Sequence, residues 1–346
     1  MINYLELKKE TVSLFKNCFD DNNSPKNTEN IGWQFFDNTS SNSFVTIAFD
    51  DEKKKPAAIY AVSCVKFKVG DTTSIGTQSL DTITDIDYRG QGFFIKLAKD
   101  VYSKAQDSGM ALVYGFPNGN SIHGFAKKLE WTVLDPLPFL IKPLKSQYFT
   151  KKIKALRFLP NIKLSLSKFR FSGNYLLKAE NHFPDEVNKI WEIFSSNIEV
   201  AVVRDKAYLD WRYIQKPNED YKILHCWDKK ETYLGFVIYA VKEKHNGSIG
   251  YIMELMYDLK QPKSGEHLLS YAVDNMKKEG ADCILSWCLE HSPNYNIYKK
   301  EFFLYMPEKI RPIELHFGVR SLQKSNEEII GDRKNWYISY SDSDTV

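Results

Sequence analysis

The sequence predicts an α/β (α+β) protein of two tandem domains, each a mixed central sheet flanked by helices. Three observations carry that prediction. The chain has 346 residues, 43% of them hydrophobic, enough for more than one core. Its first half runs strands, glycine loop, helix, strand, helix, strand. Its second half repeats the order of elements without the loop and without residue-level similarity.

The elements follow from local pattern. Leu5 to Phe19 is expected to be a short helix, and Asp20 to Pro25 a turn, because Asn, Ser and Pro favour turns. Phe44 to Phe49, Ala57 to Lys68 and Ile75 to Ile86 read as three strands. After a glycine loop at 89–92, Phe94, Leu97, Ala98, Val101 and Ala105 recur at three- and four-residue spacing, the apolar stripe of a helix that Gly109 ends. Met110 to Phe116 is an apolar strand. Pro117 to Asn120 turns into a helix over Ser121 to Leu129, and Trp131 to Leu134 starts another strand. In the second half, Tyr221 to Trp227 and Leu234 to Lys242 form a hairpin. Tyr251 to Leu259 is a strand, 264–279 a helix closed by Gly280, Asp282 to Leu289 a strand, Tyr295 to Lys300 a short helix and Trp336 to Tyr340 the last strand.

Lys plus Arg total 47 and Asp plus Glu 44, a net charge of +3, which argues against a nucleic-acid binder. Pro136 to Lys178 nevertheless contains no acidic residue while lysines and arginines accumulate. The expected division is therefore a first domain at 1–141, a basic connection at 142–178 and a second domain at 179–346. The connection reads as a solvated linker. Phosphate binding, or membrane-surface contact through Leu156, Phe158, Leu159 and Ile162, stays open. Five irregularly spaced cysteines without a C-x-x-C pair give neither a disulfide framework nor a zinc site, and no metal is expected. No apolar run approaches the ~20 residues that span a bilayer. A cytoplasmic protein without stable membrane insertion is expected, and a homodimer is compatible with the sequence.

Arg89-Gly90-Gln91-Gly92 lies between a strand and a helix. Glycines let consecutive backbone N–H groups point one way, and a helix N-terminus adds positive potential, so the loop suits a pyrophosphate. The dinucleotide fingerprint fails at Ile95, where its third glycine belongs, and no Gly-Lys-Ser/Thr follows for a P-loop.

Arg89 to Phe94 resembles the central motif of the GNAT acyltransferase superfamily, Arg/Gln-x-x-Gly-x-Gly/Ala, departing from it at Phe94. Asp81-Thr82-x-Thr84 with Tyr88, Phe116-Pro117-Asn118-x-Asn120-Ser121 and Arg204-Asp205-x-x-Tyr208-Leu209-x-Trp211-Arg212-Tyr213 resemble a two-domain GNAT subgroup of surface-polysaccharide pathways. The nearest resemblance is to bacterial N-acyltransferases of dTDP-linked 3-amino-3,6-dideoxyhexoses that transfer 3-hydroxybutyryl or acetyl groups.

The resemblance implies an acyl-coenzyme A cosubstrate. Its pyrophosphate is assigned to Arg89, Gly90, Gln91, Gly92, Phe93 and Phe94, and its pantetheine arm to Thr82, Ile83 and Thr84, with Asn118 and Asn120 as further hydrogen-bond partners. A bulge at Leu80-Asp81 is expected to aim an N–H at the thioester carbonyl, an oxyanion contact worth ~3 kcal/mol. Asp81, with Asp85 behind it, is the candidate base for the amine, or else a structural acid. The tyrosine that protonates the departing thiolate in many relatives corresponds to Phe125, which cannot do so. The second half has Lys260 to Gly265 in place of a cradle and is expected to supply the acceptor pocket. His123, Arg204, Tyr208, Trp211, Arg212 and Tyr213 are its candidates, an aromatic stacking on a base and an Arg forking onto a phosphate. The alternative is a helix packing face for Tyr208, Leu209, Trp211 and Arg212, and a surface or helix-cap residue for His123. The function implied is acylation of the amino group of a nucleotide-linked amino-deoxysugar. Acetylation of an aminoglycoside or polyamine, or a non-catalytic coenzyme-binding role, are the alternatives.

Overall fold

The computed structural model describes the chain except residues 41, 147, 149–157, 159, 161, 165–173, 309, 310, 312, 345 and 346. The described residues form two mixed sheets flanked by helices.

The first sheet begins with β1 (Ile2–Glu6), β2 (Ser43–Asp50), β3 (Lys55–Val69), β4 (Thr72–Thr84), β5 (Leu112–Gly115) and β6 (Thr132–Leu134). Gly70, at φ +59°, makes the tight turn between the long β3 and β4. Helices α1 (Val12–Asp20), α2 (Thr28–Phe35), α3 (Phe93–Asp107) and α4 (Ile122–Lys128) accompany it. The apolar stripe of α3 buries Leu97, Ala98, Val101 and Ala105, as its spacing predicts.

The second sheet contains β7 (Phe139–Pro143), β8 (Tyr175–Ala179), β10 (Lys222–Asp228), β11 (Tyr233–Lys244), β12 (Gly247–Tyr257), β13 (Cys283–Trp287) and β14 (Leu304–Tyr305), in the order β14-β7-β13-β12-β11-β10-β8. It carries α5 (Val187–Phe194), α6 (Lys206–Leu209), α7 (Pro262–Lys278) and α8 (Tyr295–Lys300).

The sheets interleave along the chain. Strand β9 (Val200–Val202) pairs with the end of β3, Phe67 opposite Val202. Strand β15 (Phe317–Ser321) inserts between β5 and β6, with Gly318 opposite both Gly115 and Val133. Conversely, β7 precedes residue 178 yet pairs with β13. One apolar cluster joins Trp33, Phe67 and Tyr114 of the first unit to Phe236, Met253 and Trp287 of the second. The strands therefore depart from a clean division at 1–141, 142–178 and 179–346.

Three expectations change. Residues 2–6 are a strand on the edge of β2, and α1 starts only at Val12. Trp336 to Tyr340 is not a strand: only an isolated bridge between Val200 and Trp336 forms. The segment then coils into a 3-10 turn at Tyr340–Asp342, because its side chains are buried between elements rather than on one sheet face. The connection is not uniformly solvated. Lys142 is buried 3.5 Å from the Glu301 carboxylate, and Lys145 lies 2.9 Å from Asp282. Phe158 and Ile162 are exposed, whereas Leu156, Leu159, Lys151, Lys152, Lys154, Arg157, Lys168 and Arg170 lie outside the described residues.

Candidate active site

The glycine loop lies where β4 hands over to α3. Asp85 caps a 3-10 turn at Ile86–Tyr88 and Arg89 is extended. Gly90 and Gly92 follow at φ +79° and +78°, a region costing an L-residue ~1–2 kcal/mol. A Cβ at either glycine would meet open space, so the loop faces outward. Gly92 caps α3, whose first-turn amides have no partner within the helix. The Arg89 guanidinium is exposed and its Nε donates to Thr84 O at 3.5 Å; Gln91 is exposed beside it. Phe93 is buried against Tyr88. Phe94 packs edge-on against Phe125 at 5.1 Å, and Gly124 makes the room, since a Cβ there would stand 2.6 Å from its ring.

Upstream of the loop, β4 and β5 pair in parallel only from Thr77–Val113 to Ser79–Gly115. Beyond that rung they diverge around a cavity of about 200 Å³, bordered by Ser79, Leu80, Asp81 and Thr82 and by Asn118, Phe125 and Trp131. The register against β3 jumps from Ile59–Ile83 to Ala61–Leu80, so a bulge sits at Asp81, which has φ +49°. The expected bulge is present, and Ile83 and Thr84 continue the strand toward the loop. Thr82 Oγ1 is buried without a protein partner on the cavity wall. Asn118 borders the cavity while its Oδ1 accepts the Asn120 and Ser121 amides at 3.0 and 3.2 Å.

A second cavity of about 220 Å³ shares Gln78, Asp81 and Asp344 with the first. Its cations are Lys26, Arg212, Lys216 and Lys244, and its acids are Asp81, Glu219 and Asp344. Asp81 sits at the junction, paired with Lys26. Burial raises its pKa and Lys26 opposes the rise. Burial, with Arg212 nearby, pushes Lys216 down to about 7.

Several predicted residues take other places. Asp85 is buried and tied to Lys55 at 3.1 Å, to Asn22 and to the Asp87 amide. Those contacts outweigh burial and hold its carboxyl low, so it is a structural cap rather than a second base. Arg204 borders neither cavity: fully buried, it forks between Glu254 at 3.1 Å and Asp342 at 2.6 Å. Trp211 stacks on Trp33 at 4.5 Å, and each indole N–H donates to the other residue's carbonyl, so its face is already covered. Tyr208 and Arg212 border the second cavity, but both donate to Ser341 O, and Arg212 also to Ser343 O at 2.8 Å. Tyr213 is buried with its hydroxyl on Ser341 Oγ. The cluster thus clamps the segment 339–343. Asn120 and His123 are exposed and outside both cavities.

Lys26, Trp33, Gln78, Lys216, Lys244 and Asp344 were not foreseen. They converge from the segment before α2, α2 itself, β4, the turn after α6, β11 and the last described residues, and no local pattern marks them.

The chain fits an acyl-coenzyme A: open glycines, unpartnered first-turn amides, a splayed strand pair and an orphan hydroxyl at Thr82 run in line from the loop to the bulge. Residues 6–134 match the acetyltransferase (GNAT) domain. No curated protein matches the sequence. Among solved structures, a conserved protein from Enterococcus faecalis V583 described as a probable N-acyltransferase superposes with TM-score 0.61 at 11% identity, covering 93% of this chain and 73% of that one. Saccharomyces cerevisiae N-myristoyltransferase with bound myristoyl-CoA gives TM-score 0.59 at 12% identity, covering 92% and 82%. A GCN5-related N-acetyltransferase from Anabaena variabilis ATCC 29413 gives 0.60 at 12%, covering 93% and 73%. The family match is thus confined to residues 6–134, and the solved structures share the fold of the chain.

Proposed function

We propose that the chain is an acyl-coenzyme A-dependent N-acyltransferase that acylates the amino group of a nucleotide-linked amino-deoxysugar, with a dTDP-linked 3-amino sugar as first choice, in surface-polysaccharide assembly. The observation that carries the reading is the meeting of the two cavities at Asp81. The donor cavity lies between the diverging ends of β4 and β5 beside the bulge, and the acceptor cavity opens on the other side.

The acceptor cavity bears four cationic side chains and three acidic ones. A polycationic aminoglycoside or polyamine would call for the reverse balance, whereas a nucleotide diphosphate suits lysines and an arginine. Arg89 to Phe94 hold the pyrophosphate, the bulge amides at Leu80-Asp81 receive the oxyanion, and Asp81 takes the proton from the attacking amine. Burial favours its protonated form, which suits that role. The thioester supplies the activated acyl group, and the nitrogen attacks it directly.

The test is coenzyme A release with acetyl- and 3-hydroxybutyryl-coenzyme A against a panel of amines. Turnover is expected with dTDP-linked amino sugars. Turnover confined to polyamines or aminoglycosides would overturn the acceptor assignment. Absence of coenzyme A binding by calorimetry would contradict the donor assignment as well.

A further inference from the structure

The donor cavity has one polar side chain whose direction is set from behind. Ser79 Oγ lies on the last paired rung of β4 and β5, opposite Gly115, and borders the cavity with Phe125 and Trp131. It is 2.8 Å from the Tyr60 hydroxyl, which is 2.5 Å from the Tyr102 hydroxyl, which accepts the Trp131 indole N–H at 2.9 Å. Tyr60, Tyr102 and Trp131 are buried.

An indole nitrogen can only donate, so Tyr102 accepts from Trp131. A hydroxyl oxygen can accept twice, so the rest of the sense comes from pairing every buried O–H: among the described residues Tyr60 is the acceptor in reach of the Tyr102 O–H, which sends its proton there rather than stay unpaired. Arg320, whose guanidinium sits 5.4 Å from the Tyr102 ring, offers no acceptor that would reverse this. Tyr60, having accepted, donates to Ser79. Ser79 accepts from behind, so its own O–H is left to point into the cavity. Burial keeps both phenols protonated far above neutral pH, so the sense is not lost on titration.

That donor stands in the same cavity as Phe125, the ring that lacks the hydroxyl many GNAT relatives use on the departing sulfur. From Thr84 to Ser79 the strand covers roughly 17 Å, so a coenzyme arm extended along β4 from the loop brings its sulfur to this rung. We propose that the Ser79 hydroxyl, aimed by Tyr60, Tyr102 and Trp131, donates the hydrogen bond that stabilises the coenzyme A thiolate as it leaves. The inference rests on the acyl-coenzyme A reading above.

The balance is simple. The amine nitrogen forms its bond to the carbonyl carbon, and the carbon–sulfur bond breaks with its electron pair going to sulfur. The amine proton goes to the base. Ser79 keeps its proton, and the thiolate takes one from water on release. Ser79 is then a catalytic residue, and Tyr60, Tyr102 and Trp131 are positioning residues.

The test needs no acceptor. Coenzyme A is bound to the full chain, and its thiol is titrated by thiolate absorbance against the coenzyme-free protein. Burial pushes Cys18, Cys64, Cys226 and Cys288 up to about 12, clear of the working range. The bound thiol should titrate below the free one. Ser79→Ala should raise its pKa by about one unit, tenfold in the ionisation constant, and Tyr60→Phe should raise it part of the way with unchanged coenzyme affinity. The same pKa in wild type and Ser79→Ala, with coenzyme A bound in both, would overturn the inference. Loss of all coenzyme binding by the wild type would instead overturn the underlying reading.

Discussion

Gly92 carries a conformation and Lys216 carries a charge, and each has a measurable cost. At φ +78° an alanine is strained by about 1–2 kcal/mol even though its Cβ has room. Gly92→Ala should therefore lower the melting temperature modestly. It should weaken coenzyme A binding at least tenfold by calorimetry, because the strained loop re-aims its amides. Unchanged affinity would remove the loop from the donor site. Unfolded Lys216 stays charged up to about pH 10.5, folded Lys216 only below about 7. Between those values the unfolded chain binds the extra proton, so stability climbs with pH by up to ~1.4 kcal/mol per unit. Lys216→Met should thus melt higher than wild type at pH 7, and the advantage should shrink steadily toward pH 9.5 in thermal scans. The residues that a reader of the sequence can identify are those whose role is local. Gly90, Gly92 and the Asp81 bulge act through their own backbone. Arg204 does not, because its partners Glu254 and Asp342 lie 50 and 138 positions away.

Helix α3 and strands β2 to β6 were legible because each announces itself by spacing or by β-branched and aromatic content over a short window. Strand β15 was not: its merit as a strand comes from β5 and β6, about 200 residues upstream, whose edges it fills. Residues 336–340 show the opposite error. Their alternation suits a strand, yet burial between elements overrides it. The contact between α3 and α4 offers a test at this scale. Gly124 leaves room for the Phe94 ring, so Gly124→Ala should displace the first turn of α3 and cost about 1–3 kcal/mol in urea unfolding. Coenzyme A binding should weaken with it. A variant as stable and as tight as wild type would show that Phe94 can swing away freely.

Across the whole molecule, interleaving decides what can stand alone. The segment 1–141 contains the glycine loop, the bulge and Phe125, which makes it look self-sufficient. It lacks β9 and β15, so β3, β5 and β6 would present bare edges and part of the shared apolar cluster would be uncovered. Expressed by itself, 1–141 should give no dispersed amide spectrum and no coenzyme uptake, whereas the full chain should melt in one transition by two independent probes. A folded fragment would refute the dependence. The same arrangement bears on biosynthesis. At about 5–20 residues per second, the ribosome needs roughly 10–40 s between finishing residue 141 and finishing Ser321, the end of β15. For that interval the nascent amino-terminal sheet waits with open seams, and its company in the cell should include the chaperones that shield such edges.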